Sequence, residues 1–349
     1  MRIKKLHLEN IGVFDSLNLE FQPHQGKAEI HIFTGKNGTG KSTLLYALAS
    51  AYNEGNNELL RQRFQTPSLN PLVEVFIETN NETVSRCLTH KLSVAQSTQN
   101  NGQAFAYSGN RALKSYPLSG IQEITESPFD QALSFVNSTD SAILNKWIVY
   151  NKAKEAFALM KNEHLKAEKY RTTIQHIESV VTEIVGFNIE FILETEQIFN
   201  VVLNIEGQRL ELDVLPDGLK SIISWIADLF MRLDRMPTTD DNSLLERHFI
   251  LFLDEIEIHL HPAWQRQILP VIQKCFQNTK VFVSTHSPFV VASISDAYVY
   301  KFKLENSVSR LDSVEESKAG SSLLLVLDEV FDIDELFDKL KFVRKTSDN

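Results

Sequence analysis

The sequence predicts an α/β core interrupted by a helical insertion. Three observations predict it. An apolar strand pattern at residues 29–33 runs through a glycine-rich turn into a helical pattern at residues 42–52. A second continuous apolar run, residues 249–253, ends in two acids. Residues 141–185 contain neither proline nor glycine and carry helix-forming side chains. Strands alternating with helices define the α/β class, and a run apolar throughout suits a parallel strand buried on both faces. With 349 residues, 43% of them hydrophobic and 23% charged, the chain can bury one large core or two lobes.

The elements follow in order. Residues 2–8, 17–21 and 29–33 read as strands leading to the glycine-rich turn, and residues 73–78 and 83–88 as a hairpin about Asn80-Asn81. Residues 96–110, rich in Gln, Asn, Ser and Gly, read as a mobile polar loop ending in a short strand at 104–107. Residues 141–185 read as one long or two shorter helices, with an apolar face of Trp147, Val149, Ala153, Phe157, Met160 and Leu165. Strands resume at 189–193, 201–205 and 210–214, before a helix from Gly218 to about Leu233. Pro262 opens a helix over 263–276, a strand follows at 280–284, and a polar run at 315–321 precedes two amphipathic helices at 322–330 and 334–343.

Composition excludes several classes. Cys87 and Cys275 lie far apart without paired-ligand spacing, which argues against a disulfide framework or a zinc cluster and fits a reducing cytoplasm. The first residues alternate like a strand and lack the apolar core of a signal peptide, and no segment approaches the ~20 apolar residues of a membrane span. A soluble intracellular protein with no membrane partner is expected. The net charge of −10 argues against a surface that is basic overall, and leaves residues 152–171 as a local basic patch.

The chemistry is concentrated in three loops at strand ends. The first is Gly35, Lys36, Asn37, Gly38, Thr39, Gly40, Lys41, Ser42 and Thr43. Between a strand and a helix this string is a phosphate cradle: glycines turn backbone N–H groups inward, the helix start adds its positive dipole end, Lys41 reaches the β- and γ-phosphates, and Ser42 ligates Mg²⁺. The expected ligand is a nucleoside triphosphate, ATP. The second loop follows residues 249–253, where Asp254 is placed to hold Mg²⁺ and Glu255 to polarise the attacking water. The third, Thr285-His286-Ser-Pro288, offers His286 to the γ-phosphate or the water. Lys41, Glu255 and His286 are thus the candidate catalytic residues.

Together with Asp254-Glu255-Ile-Glu257-Ile-His259-Leu-His261-Pro262 and Trp264-Gln265, these motifs resemble the ABC-type ATPase heads of the RecF, SMC and OLD group, especially prokaryotic AAA-type relatives found with defence systems. The resemblance implies a single ABC-type ATPase domain, an α/β P-loop NTPase head with a mixed central sheet, an antiparallel β subdomain and a helical insertion lobe. Residues 1–115 and 200–310 would form the nucleotide-binding lobe, 116–199 a largely helical lobe, and 311–349 a helical tail. It also implies that Leu215-Pro-Asp217-Gly218 stands where the family has a Leu-Ser-x-Gly signature, so that Asp217 and Gly218 complete a second subunit's ATP site in a homodimer or higher oligomer. Pro216 replaces the signature serine, which removes a hydroxyl that could bond the γ-phosphate. His259 and His261 could share a face as a metal pair, but the resemblance makes their segment a dimer-contacting loop. Gln103 or Arg111 could couple γ-phosphate occupancy to the helical lobe.

After His286 there remain 63 residues, too few for the Toprim nuclease domain of OLD-like proteins, and Asp332-Ile-Asp334 reads as a helix cap. The resemblance therefore implies an ATPase whose output lies in a separately encoded effector nuclease, in a defence assembly such as those of Septu, PARIS or retron-associated systems, triggered by DNA or a phage protein. The alternative is a DNA-repair ATPase, RecF-like or SMC-like, whose ATP-closed dimer clamps duplex DNA.

Overall fold

The computed structural model describes residues 2–23, 28–52, 58–65, 70–78, 83–89, 103–109, 112–196, 198–237, 243–317, 319–320, 326 and 330. Its first elements are β1 (Arg2–Ile11), β2 (Phe14–Glu20), β3 (Glu29–Gly35), α1 (Lys41–Ser50), α2 (Glu58–Arg61), β4 (Leu72–Glu78), β5 (Thr83–Thr89) and β6 (Ala104–Tyr107). Then come α3 (Ser141–Met160), α4 (His164–Val185), β7 (Ile189–Glu194), β8 (Asn200–Ile205), β9 (Gln208–Glu211) and α5 (Asp217–Arg235). The last are β10 (Ile250–Leu253), α6 (Pro262–Cys275), β11 (Lys280–Ser284), α7 (Pro288–Val291), β12 (Tyr298–Glu305) and β13 (Val308–Glu316). The chain divides into two compact units, residues 1–25, 29–100 and 282–349 in one and residues 26–28 and 101–281 in the other.

In the first unit, an antiparallel sheet runs β2-β1-β4-β5. Leu8 sits opposite both Leu17 and Val73, and every second residue of β4 is buried, as the period of 2 in the sequence requires. The second sheet of this unit, β13-β12-β3-β11, is mixed: β3 pairs with β12 in parallel, and β12 with β13 antiparallel. All seven residues of β3 are buried, including Glu29 and His31. His31 stacks on Phe282 and bonds Glu29 and the Tyr300 hydroxyl, while Arg2 bonds Glu29 at 3.0 Å. Burial alone would raise the Glu29 pKa, yet the His31 and Arg2 partners hold it below the usual carboxylate value.

In the second unit, β6 and β10 pair in parallel, with Tyr107 opposite Leu253. Helices α3 and α4 form a hairpin, started by Asp140, whose carboxylate accepts the N–H groups of Ala142 and Ile143, and ended at Gly186 in the left-handed region. Helix α5 is buried along nearly its whole length. On it the buried Asp228 accepts from Tyr107 and Arg232, and Arg232 donates to the carbonyls of Pro128, Asp130 and Ser138, fixing the irregular segment before α3. Strands β7, β8 and β9 form an antiparallel sheet.

Several sequence expectations change. The apolar face assigned to residues 141–185 holds at Trp147, Val149 and Ala153, which are buried, but Phe157, Met160 and Leu165 are 50%, 80% and 91% exposed. Helix α5 grips the other end of the hairpin, where Trp147 and Thr173 both bond Asp234, and the turn end lies about ten residues, roughly 15 Å, beyond it. Residues 212–214, expected as strand, form a 3-10 turn. Residues 311–316, expected in a helical tail, belong to β13, whose antiparallel pairing with β12 extends to Glu316 across a register shift at Asp312. The 80–81 turn, most of the 96–110 loop, Arg111, the first expected tail helix apart from Val326 and Val330, the second, and Asp332-Ile-Asp334 lie outside the described residues. Neither Cys87 nor Cys275 is in a disulfide. Among the described residues no helix is long and apolar enough to cross a membrane.

Candidate functional site

The P-loop lies in the first unit. Gly35, Gly38 and Gly40 have φ of 138°, 85° and 88°, a region that L side chains rarely adopt. Space imposes the same choice at two of them. A Cβ on Gly35 would lie 2.3 Å from the carbonyl oxygen of Phe302 on β12, and one on Gly40 would lie 2.5 Å from the Phe14 ring. The loop is closed by the Thr39 hydroxyl donating to Lys36 O at 2.9 Å and anchored by the Ser309 hydroxyl donating to Thr39 O at 2.7 Å. Lys36, Asn37 and Gly38 are exposed.

Helix α1 begins at Lys41 with no side-chain cap and no acid in its first turn, so neither its N-cap nor its first turn offsets its positive dipole end. Lys41 is 4% exposed, and its ammonium donates to the carbonyls of Gly35 and Lys36 at 3.0 and 3.2 Å. Ser42 is half-buried beside it. These features fit a bound triphosphate: a helix start lacking a capping anion, a buried cation and glycines that expose backbone N–H groups. Thr43, counted with the loop in the sequence, turns its buried hydroxyl to Arg63, which donates to it at 2.9 Å. His286 belongs to the same unit, where the Thr285 N–H bonds Phe33 O at 3.1 Å and so ties its loop to β3. Burial, and then the Lys41 charge, push its pKa down to about 4. At neutral pH it is an uncharged imidazole, able to donate or accept one hydrogen bond.

The acids lie in the second unit. Every residue of β10 is buried, Asp254 is 5% exposed, and its N–H donates to Tyr107 O at 2.9 Å. Glu255 has φ 50° and His259 φ 65°, both left-handed without being glycine. Such positions cost about 1–3 kcal/mol each and persist where surroundings over-determine them. Here the turn is held by bonds from Ile258 N to Glu255 O, Leu260 N to Glu257 O and Gln265 Nε2 to Leu260 O. Two glycines then close on it: a Cβ on Gly109 would lie 2.8 Å from Glu255 O, and one on Gly218 would lie 2.5 Å from His259 O. Gly218 was expected to keep a surface open for a second subunit; it is buried against its own chain, while Asp217 is exposed. Pro216 supplies no side-chain cap to α5, but Asp217 places an acid in its first turn, unlike α1.

His261 Nδ1 accepts from Ala263 N at 3.2 Å and caps α6, while His259 is exposed. Among the described residues no three His, Cys, Asp or Glu side chains converge as metal ligands. Gln103 uses its carbonyl to accept Ile250 N at the start of the β6–β10 pair. Sequence reasoning missed Ser309, Arg63, the Phe302 carbonyl and the contact of Gly109 with Glu255. No local pattern marks them, because each acts on a residue far away in the chain.

Fold and P-loop together define a P-loop ATPase with the ABC-type head of the RecF and SMC group. Residues 103–292 match the family described as "AAA domain, putative AbiEii toxin, Type IV TA system", and the chain belongs to that family. Residues 1–108 match a second family described as "AAA domain". The chain is similar to the Septu protein PtuA of Bacillus thuringiensis, with 21% identity across 95% of this chain and 85% of that protein. It is also similar to the "Retron Vc95 probable ATPase" of Vibrio cholerae serotype O1 biovar El Tor, 26% identical over 50% of this chain and 33% of the relative. The "Retron Ec83 probable ATPase" of Escherichia coli is 34% identical over 29% of this chain and 21% of its own. Among solved structures, an SMC head bound to the C-winged helix domain of ScpA superposes with a TM-score of 0.55 at 12% identity, covering 90% of this chain and 98% of that one. That likeness is one of fold.

Proposed function

We propose that the chain is the ATP-dependent switch subunit of a prokaryotic anti-phage defence assembly, working in the cytoplasm and controlling an effector nuclease on a separate chain. The observation that carries the ATP-dependent step is the uncapped start of α1 behind a glycine loop, with buried Lys41 and neutral His286 beside it. The relatives named for Septu and retron systems support the biological setting.

In this reading residues 35–43 bind the phosphates of ATP, and Lys41 leaves its loop carbonyls to meet them. Ser42 and Asp254 would hold Mg²⁺, which neutralises phosphate charge. Glu255 takes the proton of the attacking water, and His286, uncharged, donates its N–H to the γ-phosphate or to that water. Asp217 and the start of α5 complete the site of a second copy, so that ATP joins two subunits and hydrolysis parts them. The exposed apolar tip at Phe157, Met160 and Leu165 supports a protein partner.

Mass photometry of Glu255→Gln tests the switch: dimers or larger assemblies should accumulate with ATP and Mg²⁺ and disappear without nucleotide. An unchanged monomer would sink the ATP-sandwich reading. Tight, ATP- and salt-dependent binding of duplex DNA by the purified chain alone would favour a DNA clamp instead.

A further inference from the structure

The turn from Glu255 to His261 is shaped by Gly109, Gly218 and Trp264, none of which lies in the phosphate-binding loop. In a continued strand, Asp254 and Glu255 would point to opposite faces. The left-handed φ of 50° at Glu255 breaks that alternation, so the direction of the Glu255 side chain is set by the turn and not by β10. Gly109, two residues beyond the end of β6 at Tyr107, is buried with its Cα against the Glu255 carbonyl. A Cβ there would meet Glu255 O at 2.8 Å, Glu255 Cβ at 3.1 Å and Ile258 Cδ1 at 2.6 Å. The first of these is backbone and cannot swing aside. At the other end of the turn Gly218 lies against His259 O, backed by the Trp264 ring, 3.2 Å from where its Cβ would be. Trp264 is fixed in turn by its indole N–H donating to Val185 O at 3.1 Å, at the carboxyl end of α4.

We propose that Gly109 and Trp264 are positioning residues for hydrolysis: with Gly218 they clamp the 255–261 turn and so aim Glu255. The proposal rests on the reading of Glu255 as the base. Trp264 also makes the end of α4 a structural support of that turn, so strain on the helical hairpin reaches Glu255 through one indole and one glycine.

Steady-state ATP turnover of the full chain tests this, with Gly109→Ala chosen because Gly109 lies outside the nucleotide-binding set. Pushing the Glu255 carbonyl should lower kcat at least ~10-fold while KM for ATP stays within about twofold, a split that general loosening would not produce. Trp264→Phe keeps the ring, removes the bond to Val185 and adds no clash, and should lower kcat by roughly 3-fold with KM unchanged. In a Glu255→Gln background, Gly109→Ala should cause no further loss, since both changes act on one group. A well-folded Gly109→Ala with wild-type kcat, or an additive loss in the double variant, would overturn the clamp while leaving Glu255 as base. If Gly109→Ala does not fold, Trp264→Phe decides, and wild-type kcat there overturns the proposal. Wild-type turnover by Glu255→Gln itself would overturn the base assignment and the clamp with it.

Discussion

The P-loop in one unit and the Glu255 turn in the other both depend on left-handed backbone, and they obtain it in opposite ways. The P-loop places glycine at the left-handed positions themselves, Gly35, Gly38 and Gly40. The Glu255 turn places Glu and His at those positions and puts its glycines elsewhere, at Gly109 and Gly218, where they let other elements press on the turn. A phosphate-binding loop needs backbone N–H groups and no side chain, so glycine serves directly. If the Glu255 turn supplies the base, as proposed, it needs a particular carboxylate there, so the residue cannot be glycine and the strain must be held from outside.

The comparison can be broken at either end, and the largest effect belongs to the turn. Glu255→Gln should lower kcat on the order of 10²- to 10⁴-fold with ATP affinity retained, measured by phosphate release beside equilibrium nucleotide binding. Lys41→Ala should act on the other quantity. Loss of a buried charge-assisted contact predicts ATP affinity falling on the order of 100-fold, readable by calorimetry, and affinity within twofold of wild type would remove Lys41 from the site.

Smaller effects sharpen the contrast. Gly40→Ala combines a φ of 88° with contact on the Phe14 ring, and should destabilise the fold by ~1–3 kcal/mol in denaturant unfolding. His286 adds a pH dependence. Its folded pKa of about 4 lies below the unfolded value of 6.5, so the unfolded chain binds more protons between those limits. The corresponding stability is complete above pH 6.5 and is lost as pH falls toward 4. Wild type should therefore lose melting temperature more steeply than His286→Gln across that window, and parallel curves would contradict the assignment. Last, His259→Gly relieves a left-handed residue whose side chain is exposed, at the cost of glycine's greater unfolded freedom. The balance predicts a gain of at most about 1 kcal/mol, and a clear loss would show that the His259 side chain itself holds the turn.

Much of this was legible in the sequence because the signals are local. The P-loop, the apolar strand ending at Asp254 and the helix after Pro216 each rest on neighbours a few residues apart, where backbone preference and dipole act. The exposed tip at Phe157, Met160 and Leu165 was misread for the same reason: periodicity finds an apolar stripe but not the element that covers it. The bond that Arg63 donates to the Thr43 hydroxyl was equally out of reach, because the two residues lie twenty positions apart.

By itself the sequence determined the elements that flank the nucleotide motifs and the phosphate-binding chemistry, since both follow from glycine freedom, helix dipoles and hydrophobic period, but it gave no sign of β12. Only the tertiary structure decided why Gly109 and Gly218 must be glycine, and that His286 is held neutral. Those facts depend on close approach between residues separated in the chain: Gly109 meets Glu255, Gly218 meets His259, and His286 feels Lys41. Steric contact and desolvation act through space, and sequence order carries no measure of either until the chain is folded.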